Sequence, residues 1–514
     1  MRNMTSGRAR LLSAGALLAA VTAGAATTPA AAAGTPAAPA GHPIAPAGHP
    51  AAPAGHTTAP AGHTTAPAAV TVDGGARYQH IDGFGFSEAF QRAAILHGSL
   101  GLSPANQQRV LGLLFGRSGG AGFSIVRLGI GSSSDDVFDH MQSIEPGSPG
   151  SPDAPPQWVW DGSDNSQVWL AQQAQRFGVR RIYADAWSAP GYMKTNGTDS
   201  GGGYLCGVTG ESCPSGDWRQ AYATELAKYI QLYAQSGVHI TDVGFLNEPE
   251  LSTTYASMLS DGSQAASFIP VLARTLRAWR LHPNIVCCDG EGWVTGGQAI
   301  QAILADPAAA KYLDVASAHG YTAAPTFPIT SQRPVWESEW AVFDPWDPAW
   351  DDGTDGSGFT WAQNIMTALT SANASAVLYW WGASSSTANS GLIQLNGDSY
   401  QVSGRLWAFA AFSRFIRPGA VRVGAATGGG SGVVSAAFRN AGGATVVELL
   451  NPAASAASAQ VALDHLPQHG LARPYLTDAT HQVAAQPAVP VAGGRFTVGV
   501  PARSVVTVVL PGRG

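Results

Sequence analysis

Eight short apolar runs between residues 81 and 381 constrain the fold of this chain more than any other feature of its sequence. Each run has the length of a buried strand, and stretches with a helical pattern, such as residues 218–236 and 266–280, separate them. Eight strands that alternate with helices are typical of a (β/α)8 TIM barrel, an α/β fold, which we predict over residues 81–415. The predicted strands are residues 81–86, 123–131, 180–187, 240–247, 284–289, 315–319, 334–339 and 376–381.

A second domain is expected after the barrel. Beyond about residue 415 the sequence changes to short alternating runs that Gly, Ala and Pro interrupt. This pattern predicts a side β-sandwich over residues 416–514, to which residues 70–80 add an N-terminal strand. Its predicted strands are residues 433–438, 445–450, 460–463 and 496–498.

The N-terminus has the composition of a secretory signal. Arg2, Arg8 and Arg10 precede an apolar run over residues 11–26, and small residues follow to position 33. We therefore predict a signal peptide over residues 1–33 and a secreted, extracellular protein. A membrane anchor is the alternative, although the apolar run is short for a span.

Residues 34–69 repeat Pro-Ala-Gly-His with a period of seven, which places His42, His49, His56 and His63 in similar contexts. A tract of Pro, Ala and Gly cannot bury a core, so we predict an extended linker. Weak metal binding by the histidines is the alternative to a solvated tether.

The charge of the chain limits its partners. Charged residues make up only 12% of the sequence and the net charge is -6 without a basic stripe. Nucleic acid is therefore not an expected partner, because its phosphates require clustered Lys and Arg. A surface of uncharged polar groups suits neutral polysaccharide. We expect a monomer without membrane contact once the signal is removed.

Two glutamates occupy the ends of predicted strands. Glu248 lies in Gly244-Phe-Leu-Asn-Glu-Pro249, and Glu339 lies in Val335-Trp-Glu-Ser-Glu-Trp340. Parallel barrel strands bring their carboxyl ends to one face, where barrel active sites lie. Glycoside hydrolysis needs one carboxylic acid to protonate the departing oxygen and one carboxylate to capture the sugar carbon. We predict Glu248 as the acid/base and Glu339 as the nucleophile.

Both assignments have alternatives. Either glutamate could be a salt-bridged or solvated loop residue, and Glu337 competes for the nucleophile role because residues two apart on a strand face the same way. We prefer Glu339 because Glu337 would lie one layer deeper in the barrel. Asn247, directly before Glu248, is an amide suited to binding a sugar 2-hydroxyl.

Four motifs occur in order: Ile81-Asp-Gly-Phe-Gly-Phe-Ser-Glu-Ala-Phe-Gln-Arg-Ala93, Trp187-Ser-Ala-Pro-Gly-Tyr-Met-Lys194, Asn247-Glu-Pro249 and Trp336-Glu-Ser-Glu339. Together they resemble glycoside hydrolase family 30, and the resemblance covers residues 70–514. It implies a retaining double displacement without a cofactor. The acid/base on the fourth strand and the nucleophile on the seventh would be Glu248 and Glu339.

The first two motifs are most similar to the xylanase branch of that family, known mainly from fungi. This implies β-1,4-xylan of the plant cell wall, often decorated with glucuronic acid, as the substrate. Bacterial glucuronoxylanases of the family hold that acid with an arginine shortly after the eighth strand, but Trp380-Trp-Gly-Ala-Ser-Ser-Ser386 contains none. Arg92 could supply the cation instead, and a surface arginine or a structural ion pair is its alternative.

Other activities remain open. A β-1,6-galactanase, a β-1,6-glucanase or a glucosylceramidase of the same family would share the two carboxylates. A carbohydrate-binding barrel that has lost catalysis is the alternative of another class, although it would not need both glutamates.

Three further site positions follow from their settings. Arg127, inside Ile125-Val-Arg-Leu-Gly129, is a charge in an apolar strand and needs a carboxylate partner, either Glu339 or another acid of the barrel. Tyr321 could donate a hydrogen bond to the nucleophile and keep it ionised. His319 could be a core histidine. The predicted strand ends also carry Trp187, Trp380 and Trp381, which could stack on sugar rings or pack in the core.

The four cysteines form two close pairs. Cys206 and Cys213 lie in a Gly-rich loop and are predicted disulfide partners. Cys287 and Cys288 are adjacent on a predicted strand, where alternate side chains face opposite ways, so we expect them reduced, with a vicinal bridge as the alternative. Neither pair has zinc-ligand spacing, and the acidic loop 344–358 does not fit a calcium-binding pattern. We therefore predict no metal site.

Overall fold

A computed structural model describes residues 68–428 and 432–512. The predicted signal peptide and the linker up to residue 67, including its four histidines, lie outside the described residues. Strand β1, Ala68–Ile81, begins two residues earlier than predicted and ends one residue inside the predicted barrel. None of the helices in the described part of the chain has both the length and the apolar character needed to cross a bilayer.

Eight parallel strands close into a barrel, as predicted. Strands β2 to β8 pair in chain order, and β9 pairs with both β8 and β2, which closes the ring. The barrel strands are β2 Gly83–Ser87, β3 Ile125–Ile130, β4 Arg181–Ala186, β5 Asp242–Val243, β6 Asn284–Gly290, β7 Val315–Ala318, β8 Val335–Trp340 and β9 Ala376–Ser384.

These strands are buried on both faces, which explains why their sequences are continuous apolar runs rather than alternating ones. Large side chains fill the interior near the N-terminal ends of the strands. The rings of Tyr183 and Trp336 meet edge to face there with centroids 5.9 Å apart. Because this end is closed, the functional cleft opens at the opposite end.

Strand β5 is much shorter than the predicted residues 240–247. The strand ends at Val243, although the amide of Gly244 still donates a hydrogen bond to the Ala184 carbonyl of β4 at 2.9 Å. A Cβ atom at Gly244 would lie 2.0 Å from Oδ1 of the buried Asp185, so the glycine leaves room for this carboxylate.

Helices cover the outside of the barrel. The two helical patterns used for the prediction correspond to α4 and α5, and Asp261 and Gln264 form a capping box at the start of α5. The described helices are α1 Arg92–Ala94, α2 Pro104–Phe115, α3 Gln167–Arg176, α4 Arg219–Gln235, α5 Gly262–Ala278, α6 Trp293–Ala305, α7 Pro307–Ala310, α8 Gly358–Thr370 and α9 Gly404–Ser413. A π-helical turn, Ile95–Ser99, and a 3-10 turn, Gly191–Met193, complete the set.

The C-terminal part of the chain forms the predicted β-sandwich. Strand β1 joins it by pairing antiparallel with β12 and parallel with β15. Before it, the hairpin β10 Gly391–Asn396 and β11 Ser399–Val402 extends the barrel sheet from β9. The sandwich strands are β12 Ala420–Gly428, β13 Val434–Arg439, β14 Thr445–Asn451, β15 Ala457–Asp464, β16 Gly470–Thr477, β17 Ala484–Ala485, β18 Val489–Val491, β19 Arg495–Val500 and β20 Ser504–Leu510.

The loop after β8 is attached to the sandwich. Arg503 forms an ion pair with Asp351 at 2.6 Å, and the indole of Trp350 donates a hydrogen bond to the Arg503 carbonyl at 2.8 Å. The acidic loop 344–358 therefore includes one structural ion-pair partner, Asp351.

Candidate active site

Glu248 and Glu339 meet at the C-terminal face of the barrel. Glu248 follows β5 and Glu339 is the penultimate residue of β8, and both line a cleft of about 520 Å³. One carboxylate oxygen of each lies within 4.8 Å of the other. The backbone of Glu248 has a left-handed φ of 46°, a conformation that costs free energy in a residue with a side chain and often marks functional sites.

Both carboxylate oxygens of Glu339 accept hydrogen bonds. The hydroxyl of Tyr321 donates to Oε1 at 2.8 Å, and Arg127 Nη1 donates to Oε2. Burial raises the pKa of Glu339, while the charges of His319 and Arg127 and the hydrogen bond from Tyr321 oppose that rise. The predicted contacts of Arg127 and Tyr321 with Glu339 are therefore both present in the structure.

Arg127 is the centre of a buried ionic network. Its Nη2 lies 2.6 Å from Oδ2 of Asp185 and 2.9 Å from Oδ2 of Asp289, and none of these side chains is exposed. Burial and the charge of Asp289 raise the pKa of Asp185 well above its usual value. Burial also acts to raise the pKa of Asp289, but Arg127 and His319 outweigh it and lower that pKa to about 2. Of these two aspartates, Asp289 is therefore the one that pairs with the guanidinium in its ionised form.

Asn247 belongs to the same network. Its Oδ1 accepts a hydrogen bond from Arg127 Nη2 at 2.6 Å. Its NH2 group donates no hydrogen bond to any side chain or carbonyl of the described residues, which leaves it available to a ligand.

His319 lies between the two glutamates rather than in an isolated core position. Its Nδ1 is 3.2 Å from Oε1 of Glu248, and its Nε2 is 3.9 Å from Oε2 of Glu339. Burial lowers the pKa of His319, but the carboxylates of Glu339, Glu248 and Asp289 outweigh it and shift that pKa upward.

Glu248, His319 and Glu339 are also the three residues, among those described, whose ligand atoms are close enough to share a metal ion. Both oxygens of Glu339 are already hydrogen-bonded, however, and the guanidinium of Arg127 disfavours a second positive charge there. This set of donors fits a pair of acid–base carboxylates better than a metal centre.

The three predicted tryptophans line the cleft and also pack against one another. Stacking on sugar rings and packing in the core, the two alternatives considered for them, are therefore compatible. Trp187 and Trp380 lie 5.8 Å apart, and Trp380 stacks on Trp381 at 4.8 Å. All three are less than 9% exposed. Their edges and faces form a rigid apolar wall, as sugar-binding sites require.

Arg92 borders the same wall. Its guanidinium lies 3.9 Å above the ring of Trp381 and forms an ion pair with Asp139, whose side chain is half exposed. The structural ion pair considered for Arg92 is thus present, and the side chain nevertheless faces the cleft.

Sequence reasoning missed several residues of the site. Asp185 and Asp289 are acids inside apolar strands, the same signal that identified Arg127. Glu291, directly after β6, and Phe343, in the loop after β8, also line the cleft. Their sequence settings distinguish neither of them from an ordinary loop residue.

Both cysteine pairs form disulfides. Cys206 and Cys213 are joined with their Cα atoms 5.5 Å apart. The expectation that Cys287 and Cys288 are reduced was wrong, because they form the vicinal bridge. It assumed a regular trans strand, whereas the peptide bond between these residues is cis and places the two Cα atoms 3.0 Å apart.

A TIM barrel with paired glutamates at its mouth is an arrangement that many glycoside hydrolases use. The model of the glycosyl hydrolase family 30 TIM-barrel domain matches residues 163–332, and that of the family 30 beta sandwich domain matches residues 419–508. The chain belongs to glycoside hydrolase family 30, as the sequence motifs predicted.

Solved structures support this assignment. The catalytic domain of GH30 xylanase C from Talaromyces cellulolyticus is 43% identical, covers 86% of this chain and 99% of its own, and superposes with a TM-score of 0.80. A family 30 subfamily 8 xylanase, Xyn30A, from Clostridium acetobutylicum is 21% identical over 86% of this chain and 98% of its own, with a TM-score of 0.68, which bears on the fold alone.

Curated relatives are more distant. The endo-1,6-beta-D-glucanase neg1 of Aspergillus fumigatus is 26% identical over 53% of this chain and 58% of its own length. The putative glucosylceramidase 3 of Caenorhabditis elegans is 26% identical over 49% of this chain and 47% of its own. The chain thus spans about half the length of these curated relatives.

Proposed function

We propose that the protein is a secreted, retaining endo-β-1,4-xylanase that acts on xylan carrying glucuronic acid. Glu248 is the acid/base and Glu339 is the nucleophile. The observation that carries the proposal is the convergence of these two carboxylates, within 4.8 Å, in a cleft walled by tryptophan.

The separation of the carboxylates favours retention. Retaining enzymes hold the two groups about 5 to 5.5 Å apart, whereas inverting enzymes leave about 6.5 to 9.5 Å for a water molecule. The approach of one oxygen of Glu248 to one oxygen of Glu339 within 4.8 Å favours the first arrangement.

The reaction proceeds in two balanced steps. In the first, a carboxylate oxygen of Glu339 bonds to C1 of the sugar while the bond from C1 to the glycosidic oxygen breaks, and Glu248 gives its proton to that departing oxygen. In the second, water attacks C1, Glu248 takes the proton of the water, and the bond to Glu339 breaks. The sugar leaves with its original anomeric configuration.

The surrounding residues prepare these steps. Arg127 and Tyr321 favour the ionised form of Glu339 and fix its orientation, because each donates to a different carboxylate oxygen. The free NH2 group of Asn247 is the donor for the sugar 2-hydroxyl. His319 contacts Glu248 and positions it through the change in its protonation state.

Xylan is the substrate that the site supports best. The tryptophan wall suits the apolar faces of pyranose rings, and Arg92 beside it offers a planar cation for a glucuronic acid branch. The 43% identity with a xylanase over nearly the whole length of that catalytic domain adds to this argument.

A β-1,6-glucanase is the second candidate. It is favoured by the relative from Aspergillus fumigatus, an endo-1,6-beta-D-glucanase, although that similarity is lower and covers less of either chain. A glucosylceramidase finds similar support in a relative from Caenorhabditis elegans, whereas no relative named above supports a β-1,6-galactanase. All would use the same pair of carboxylates.

One set of digests separates these candidates. The purified protein and its Glu339→Gln variant are incubated with glucuronoxylan, unbranched xylan, β-1,6-glucan, β-1,6-galactan and glucosylceramide, and the products are identified by mass spectrometry. We expect the wild type to release xylo-oligosaccharides and the variant to be inactive. Cleavage of β-1,6-glucan without cleavage of either xylan would overturn the xylanase proposal, and no cleavage of any substrate would favour a binding barrel.

The proposed partner is xylan of the plant cell wall, and the proposed location is outside the cell. We propose that residues 1–33 are removed during export and that the enzyme acts outside the cell as a monomer. Mass spectrometry of the protein from culture medium tests this, with a mature N-terminus near residue 34 as the expected result. Retention of the intact N-terminus in the cell fraction would contradict it.

A further inference from the structure

The cleft is divided into two halves by the line that joins the catalytic carboxylates. Glu248 follows β5 and Glu339 ends β8, so one half lies over β6 and β7 and the other over β9, β2, β3 and β4. A polysaccharide whose scissile bond lies between the glutamates must place its glycone in one half and its leaving group in the other.

Enclosure distinguishes the halves. The half over β9, β2, β3 and β4 is walled by Phe90 and the three buried tryptophans. The half over β6 and β7 is open, with Thr322 exposed and Phe343 61% exposed at its edge. The glycone must stay bound through both chemical steps, whereas the leaving group must depart before water enters. The open half therefore receives the leaving group.

The open half carries an acid that has no ion-pair partner among the described residues. Glu291 follows β6 and lines the cleft. Burial and the charges of Glu248 and Glu250 raise its pKa, and the charge of His319 acts in the opposite direction. Its amide donates to Glu250 Oε2 at 3.1 Å, and its carbonyl accepts from the amide of Tyr321 at 3.2 Å, which fixes the backbone. Its carboxylate forms no hydrogen bond or ion pair with any described residue.

The arginine of the cleft lies in the other half. Among the described residues that line the cleft, Arg92 is the only Lys or Arg, and it lies on the tryptophan wall. The two ends of the cleft therefore differ in charge, because the guanidinium at one end is paired with Asp139, whereas the carboxylate of Glu291 at the other has no ion-pair partner among the described residues.

We propose that Glu291 makes the leaving-group half of the cleft select against acidic branches. A glucuronic acid on the sugar next to the cleaved bond would bring a second carboxylate beside it, and no described Lys or Arg lines this half to neutralise the pair, so such an arrangement is unfavourable. The enzyme then cleaves glucuronoxylan so that acidic branches remain on the glycone product. This inference rests on the proposed xylanase function and extends it to the position of the cut.

The test compares two defined substrates at pH 7. One is an unbranched xylo-oligosaccharide, and the other carries a single glucuronic acid on its leaving-group side. The measured quantity is the kcat/KM on the branched substrate divided by the kcat/KM on the unbranched one. For like charges about 8 Å apart at an intermediate effective dielectric constant, we expect Glu291→Gln to raise the ratio of these two values about five-fold. Added salt should raise the same ratio for the wild type and change it less for the variant.

Glu211→Gln is the matched control, because Glu211 loses the same charge and does not line the cleft. It should leave the ratio unchanged. A ratio that Glu291→Gln leaves unaltered or lowers, or a wild-type ratio insensitive to salt, would overturn the inference. Failure of the wild type to cleave both glucuronoxylan and the unbranched substrate would instead refute the xylanase proposal itself.

Discussion

The hydrogen bond between Tyr321 and the nucleophile supports a quantitative prediction. In Tyr321→Phe the ring stays and the hydroxyl that lies 2.8 Å from Glu339 Oε1 is lost. A hydrogen bond to a charged group contributes about 1.5 to 3 kcal/mol, and each 1.4 kcal/mol is a tenfold change in rate. We therefore expect kcat/KM to fall about 10- to 150-fold.

The same variant should change the pH profile. The hydrogen bond from Tyr321 acts to lower the pKa of Glu339, so its removal raises that pKa further. Because the nucleophile must be ionised, the acidic limb of kcat/KM should move to higher pH. The assay is hydrolysis of an aryl β-xylobioside as a function of pH.

Tyr400→Phe is the control for this prediction. Tyr400 lies on β11, and its hydroxyl forms no hydrogen bond with a described residue. It should retain wild-type kinetics. A loss below about threefold in Tyr321→Phe, with an unmoved acidic limb, would refute the role assigned to this hydroxyl.

Three other variants test separate parts of the structure. Burial raises the pKa of Glu225 to about 8, so between about pH 4.3 and pH 8 the folded protein keeps a proton that the unfolded chain has released. The free energy of unfolding should therefore fall by about 1.4 kcal/mol per pH unit in this range. In calorimetry between pH 5 and pH 7.5, the Tm of Glu225→Gln should fall less than that of the wild type. Arg92→Gln should lower kcat/KM on glucuronoxylan about tenfold relative to unbranched xylan, and equal losses on both would contradict acid recognition. Gly244→Ala should lower both Tm and activity, because its Cβ would collide with Asp185; a wild-type Tm would show that the network can move.

Continuous apolar runs allowed the barrel to be predicted from the sequence. Parallel strands that are covered on both faces are apolar along their whole length, so each can be recognised without knowing which strands pair with it. The sandwich was predicted less completely. Strands β12, β16, β17, β18 and β20 were missed, although β20, Ser-Val-Val-Thr-Val-Val-Leu, is an apolar run of the same kind. The close approach of Gly244 to the carboxylate of Asp185 joins two strands, and the local sequence does not reveal it.

The site was predictable where a residue type conflicts with its surroundings. Arg127 in an apolar strand requires a buried acid, and the structure pairs it with Glu339 as expected. Asp185 and Asp289 carry the same signal and could have been found by it. The position of His319 between the glutamates, the vicinal bridge at Cys287 and the open setting of Glu291 depend on the three-dimensional fold, so no local pattern predicts them.

Trapping the covalent intermediate tests the central claim most directly. A 2-deoxy-2-fluoro-xylobioside with a good leaving group slows the second step, and peptide mass spectrometry then locates the sugar. We predict one xylobiosyl adduct on Glu339. An adduct on Glu337, or turnover with inversion of the anomeric carbon and no adduct, would contradict the account.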